Sequence, residues 1–124
     1  MLLGYSIVNG EALQKGGKTF TASNPANGSS LEPAYHSASA DDLELAAGLA
    51  GEAAAVYGRL PGGDRARFLR HIAAGIESIA AELVARAQQE TALPEARLKG
   101  ELARTVNQLR LFAQVVEEIG RAHV

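Results

Sequence analysis

The residues able to do chemistry are few and scattered. Gly16-Gly17-Lys18-Thr19 matches the end of a phosphate-cradling loop, in which glycine amides and a lysine hold the anion. That pattern needs a further glycine five residues before Gly17, where Ala12 stands. No hydrophobic strand leads directly into the segment and no helical pattern follows it, so it reads as a loop between two short strands. His36, His71 and His123 are far apart, and none has a second ligand at helical spacing. Arg65, Arg67 and Arg70 could hold an anion. The simpler reading is a solvated or interface face whose arginine stems pack on apolar neighbours. Asp41-Asp42 and Glu117-Glu118 are adjacent carboxylates. Neighbouring positions on a helix point in different directions, which rules them out as acid/base pairs. Asn27-Gly28-Ser29 fits a glycosylation acceptor, but Met1-Leu2-Leu3-Gly4-Tyr5 lacks a basic secretory start, so the triplet reads as a turn. No cysteine is present, which excludes a disulfide, a thiolate zinc site and a cysteine nucleophile within these 124 residues. No residue is assigned a catalytic, cofactor-binding or metal-ligating role.

The elements that would have to position a site change character near residue 39. Leu3, Tyr5 and Ile7 alternate with smaller or polar residues and predict a strand over residues 3–8. Asn9-Gly10 then suits a type I′ hairpin turn, with a short return strand at residues 11–13. A second β-prone run covers residues 19–22, Asn24-Pro25 and Asn27-Gly28 mark turns, and residues 31–36 read as an edge strand carrying Pro33. Three long helices should follow. The first starts at Ser39, with Asp42 completing a capping box and Leu43, Ala46, Ala47, Ala50, Ala54 and Tyr57 on its apolar face. The second is capped by Asp64 and carries Phe68, Leu69, Ile72, Ile76, Ile79, Leu83 and Ala87 in one stripe. Leu93-Pro94 breaks the pattern, and a third helix follows with Leu98, Leu102, Val106, Leu109, Phe112, Ala113 and Val116.

The 124 residues make one ordinary domain or a piece of a larger one, and 47% hydrophobic with 21% charged residues is a globular composition. Twelve Lys and Arg against fourteen Asp and Glu leave a net charge of −2. That argues against a binder of nucleic acid or of a membrane surface relying on bulk positive charge. Tryptophan is absent and alanine is plentiful. An alanine face buries little area per residue, so the first helix should pack against a larger surface. The fold class read from these patterns is an α+β fragment: short N-terminal antiparallel strands followed by three long helices.

Several segments resemble the N-terminal part of the NAD(P)+-dependent aldehyde dehydrogenase superfamily. Phe20-Thr21-Ala22-Ser23-Asn24-Pro25-Ala26-Asn27-Gly28 is similar to its early strand-and-turn segment, residues 37–57 to the alanine-rich helix that follows, and residues 65–73 to its next helix. The sharpest match is Glu90-Thr91-Ala92-Leu93-Pro94-Glu95-Ala96-Arg97-Leu98-Lys99-Gly100-Glu101, continuing through Arg104-Thr105 and residues 108–113. It resembles the subfamily that oxidises 2,5-dioxopentanoate (α-ketoglutarate semialdehyde). One departure is Ala92, where the family usually has a glycine suited to a left-handed helix end.

The resemblance implies the leading part of a fold that is α/β when complete. Residues 1–38 would be its strand and turn segment, and residues 39–118 a three-helix segment of its cofactor-binding domain. In that family a cysteine attacks the aldehyde, hydride passes to the nicotinamide, and a glutamate activates the water that releases the acid. Those groups come later in the family's sequence, so this chain is expected to be inactive alone and to bind no cofactor, although the full-length family uses NADP or NAD. Implied partners are the remainder of its own subunit and a small aldehyde, with homo-oligomerisation when complete, no nucleic acid and no membrane. A cytoplasmic location is expected. Residues 119–124 do not continue the family pattern and resemble one reading frame of a sequencing-library adapter, so a non-native tail is expected there. The competing reading is a non-catalytic helical module that binds a protein through its apolar stripes. A small ligand-binding domain ranks last, for want of a convergent polar cluster.

Overall fold

The computed structural model describes residues 2–13 and 17–122. Gly16 of the candidate phosphate loop and His123-Val124 of the expected tail lie outside them. Among the described residues, four short strands and four helices fall into two compact units, Met1–Gly58 and Arg59–Val124.

In the first unit, β1 (Ile7–Val8) and β2 (Glu11–Ala12) form a hairpin. Its two-residue loop is Asn9-Gly10, both at positive φ (55° and 78°), as a type I′ turn demands. The strand expected from residue 3 begins only at Ile7, because Gly4 leaves the extended region at φ 71°. A Cβ on Gly4 would lie 2.2 Å from the carbonyl oxygen of Ala34, so only glycine allows that approach. The His36 N–H donates to the Gly4 carbonyl at 2.8 Å, and the Tyr5 and His36 rings stack with centroids 4.5 Å apart. β3 (Thr19–Ser23) pairs antiparallel with β4 (Ser30–His36). The register shifts between Phe20 and Ala22, opposite the stretch holding Pro33, which has no N–H to give the ladder.

Helix α1 (Ala40–Tyr57) starts as its sequence dictates. The Asp42 N–H donates to Ser39 Oγ, and the Ser39 N–H donates to the Asp42 carboxylate, both at 3.0 Å. Its covered side differs from the expected alanine face: Asp42, Ala46 and Leu49 are covered, while Ala47, Ala50, Ala54 and Tyr57 are exposed and Leu43 is 68% exposed. The covered positions lie on the side that carries the buried capping aspartate.

The second unit corrects the helix count from three to four. The expected second helix is two, α2 (Gly62–Ser78) and α3 (Ala80–Thr91), separated at Ile79. There the backbone leaves helical angles (φ −112°, ψ 16°), and the Ile79 N–H turns back to the Ile76 carbonyl at 3.2 Å. Ser78 Oγ donates to the Gly75 carbonyl at 2.7 Å, competing for the acceptor that the next turn of helix would use. α2 also begins earlier than expected, with Pro61 at the cap position and Asp64 in the first turn, where it pairs with Arg67. α4 (Glu95–Ala122) follows the Leu93-Pro94 break.

α2 and α4 run antiparallel through a seam of small residues. Ala66, Ala73 and Ala113 are fully buried, and a Cβ on Gly62 would come within 2.4 Å of the Val116 carbonyl oxygen. Val106 of α4 and Val84 of α3 are the remaining buried apolar residues with side chains larger than alanine's among those described. No large side chain among the described residues is fully enclosed. Two arginine–glutamate pairs flank the seam, Arg70 with Glu117 at 2.7 Å and Arg110 with Glu77. The hydrogen bond and charge of Arg70 hold the Glu117 carboxyl below the usual glutamate range, with a smaller contribution from Arg121.

This architecture makes two testable statements. Ala92 occupies the left-handed region at φ 57° and ψ 17°, a conformation that costs an L-residue about 1 kcal/mol or more. Ala92→Gly therefore stabilises the α3–α4 corner by about 1 kcal/mol, read as a raised urea midpoint of the helical circular dichroism signal. The lowered Glu117 pKa means that its contribution is present above the unfolded-state value and is lost as pH falls through the folded one. Glu117→Gln lowers that midpoint at neutral pH, and the variant and its parent converge in acid.

Candidate functional site

The residues singled out for chemistry are not brought together. Gly17 and Lys18 lie between β2 and β3, and Thr19 opens a strand where a phosphate loop would open a helix, so the described part of the segment does not take that form. His36 sits half-buried at the end of β4 against Tyr5, and its Nδ1 is buried with no hydrogen-bond partner. His71 is exposed on α2. No group of three or more His, Asp or Glu side chains among the described residues could hold a metal ion.

The arginines of α2 are largely committed. Arg67 bonds Asp64 and Arg70 bonds Glu117, while Arg65 is half-buried with its Nε unbonded. Of the paired carboxylates, Asp42 caps α1 and Asp41 is exposed, whereas Glu117 faces Arg70 and Glu118 accepts from Gln114 at 2.9 Å. These pairs do structural work. A dinucleotide needs free anion donors or glycine amides opening a helix next to a strand to seat its phosphates. Arg67 and Arg70, each paired with a carboxylate, are not such free donors.

What the structure does offer is apolar relief. A groove of about 570 Å³ runs between α3 and α4, lined by Ala80, Ala81, Val84, Ala85 and Leu102, with Gln88, Glu95 and Lys99 as its polar members. Lys99 and Glu95 pair with each other at 3.1 Å, leaving no net charge in it from that pair. A second hollow of about 230 Å³ lies beside it, lined among others by Ile76, Leu83, Leu98 and Thr105. In the first unit, Ile7, Val8 and Asn9 of the hairpin face Ala46, Leu49, Ala50 and Ala53 of α1 across a further groove. Sequence periodicity does not reveal these grooves. Their signal is the alanine content of α1 and α3, whose short side chains leave space beside each larger one. Phe68, Leu83, Leu111 and Phe112 expose about half their surface, and no helix among the described residues is long and apolar enough to cross a membrane.

Comparison with known proteins adds what the geometry lacks. The family model described as "Aldehyde dehydrogenase family" matches residues 13–124. The chain is 41% identical over 118 residues to alpha-ketoglutaric semialdehyde dehydrogenase 2 of Azospirillum brasilense, an alignment spanning 94% of this chain and 22% of that protein. It is 34% identical over 113 residues to alpha-ketoglutaric semialdehyde dehydrogenase of Acinetobacter baylyi, spanning 91% of this chain and again 22% of the relative. The chain thus spans about a fifth of the length of the curated relatives it matches.

Proposed function

The chain belongs to the aldehyde dehydrogenase family, and from that premise we propose that it is part of an NAD(P)+-dependent enzyme oxidising 2,5-dioxopentanoate to 2-oxoglutarate. The observation that carries this reading is the identity to two semialdehyde dehydrogenases over nearly the whole chain. The oxidation removes a hydride from the aldehyde carbon and adds an oxygen from water, so it needs a hydride acceptor, a nucleophile and a base. NADP or NAD is the acceptor in this reading. In this reading the nucleophile is a cysteine in another part of the enzyme, since these 124 residues hold none, and the base lies there with it.

In this reading the chain is a cytoplasmic scaffold piece, and its partner is the rest of its own subunit in a homo-oligomer. The bare apolar residues of α1, α2 and α4 support it: such surfaces are poor ones to leave in water. The same surfaces also suit a non-catalytic interaction module, and activity separates the two. The complete parent enzyme should form 2-oxoglutarate from 2,5-dioxopentanoate with concurrent reduction of NADP+ or NAD+, while the 124-residue chain should form none. A parent inert towards aldehydes, or an isolated chain that turns them over, overturns the proposal. The isolated chain should also self-associate, measured by sedimentation over a concentration series, and bind a dye for exposed apolar surface. A monodisperse monomer that ignores the dye would contradict the account of its exposed faces.

A further inference from the structure

Two asparagine–glycine pairs occur in the first unit, and the structure treats them differently. Asn9-Gly10 is the loop of the β1–β2 hairpin, and Asn27-Gly28 lies in the turn between β3 and β4. All four residues are exposed, and open space surrounds both glycines. Sequence alone gives the pairs the same chemistry. In each, the glycine amide nitrogen can lose its proton and attack the carboxamide carbon of the asparagine. A new C–N bond closes a five-membered imide, the bond from that carbon to the asparagine Nδ2 breaks, and ammonia leaves. Water then opens the imide at either carbonyl, leaving aspartate or isoaspartate. No oxidant or cofactor is involved.

We propose that Asn9 is a self-deamidating modification site and that the β3–β4 turn protects Asn27 from the same reaction. At the second pair both reacting groups are held. The Gly28 N–H, the nucleophile's own proton, donates to the Asn24 carbonyl at 2.7 Å. Asn27 Oδ1 accepts from the Ser29 N–H at 2.9 Å and from Ser29 Oγ at 2.7 Å, which keeps the carboxamide from rotating freely. Asn24 Oδ1 closes the turn further by accepting from the Ala26 N–H at 2.9 Å. Ring closure there requires several bonds to break together.

No hydrogen bond among the described residues holds the Asn9 carboxamide or the Gly10 N–H. Among the described residues, the hairpin that frames them has two paired positions, Ile7 with Ala12 and Val8 with Glu11, and one further backbone bond from the Leu13 N–H to the Ser6 carbonyl at 2.9 Å. A two-stranded hairpin of this size is marginal in water and opens readily, which frees the Asn9 backbone to reach the geometry of attack. The product also matters locally. Isoaspartate routes the backbone through the side-chain methylene and so lengthens a two-residue loop whose register depends on its length. Either product puts a negative charge beside the apolar groove that Asn9 lines with Ala46, Leu49, Ala50 and Ala53.

The test is timed incubation of the 124-residue chain in mildly alkaline buffer, followed by peptide mapping with mass spectrometry and chromatographic separation of isoaspartate. A parallel incubation in concentrated urea supplies the structure-free rates. The expected result is conversion at Asn9 several-fold faster than at Asn27 in buffer, with the two rates converging in urea. Equal rates in buffer, faster conversion at Asn27, or a ratio that urea leaves unchanged would each overturn the proposal. The outcome does not depend on whether the parent enzyme oxidises a semialdehyde.

Discussion

Two helices of this protein meet almost backbone to backbone. Gly62, Ala66 and Ala73 of α2 lie against the stretch of α4 that carries Ala113 and Val116, and the closeness of that approach constrains the rest of the second unit. Small residues allow the approach but bury little. A methyl group contributes about 0.8 kcal/mol on burial, against about 1.5–3 kcal/mol for a leucine or phenylalanine side chain. The seam therefore fixes geometry more than it supplies stability. The Arg70–Glu117 and Arg110–Glu77 pairs beside it are partly solvated, so they orient the helices and add little energy. Large apolar side chains are displaced outward by the same closeness, which is why Phe68 and Phe112 stand exposed on helices whose seam is full.

α3 shows the opposite case. It reaches α4 mainly through Val84, and the alanines around that residue leave the groove and the hollow on either side. Its ends are set locally, by the turn at Ile79 and the left-handed Ala92. A loosely packed helix held by defined corners keeps its direction without a dense core beneath it.

Features written in neighbouring residues were legible beforehand. Ser39 with Asp42, Asn9-Gly10, and the Leu98, Leu102, Val106, Leu109, Ala113 and Val116 positions of the last stripe appear as read, because each depends on a turn or two of backbone, whereas Phe112, expected in that stripe, is exposed. The division of α2 from α3 was not legible. Neither glycine nor proline stands at Ser78-Ile79, and the apolar stripe runs across it unbroken. The inward face of α1 was misjudged for a related reason: an alanine-rich helix has no strong periodic signal to mark the side that carries the buried aspartate. The grooves depend on how far helices stand apart, which residue spacing does not encode. The family was legible from the resemblance of residues 90–113, a stretch where order along the chain alone carries the signal.

The Ser39–Asp42 box has a consequence for the order of events as the polypeptide is made. Segments nearer the amino end leave the ribosome first and must wait for those that follow. α1 has few side chains under cover, yet its opening turn is closed by hydrogen bonds between residues three apart. Such a helix can hold its phase during that wait, since the bonds that start it do not depend on anything synthesised later.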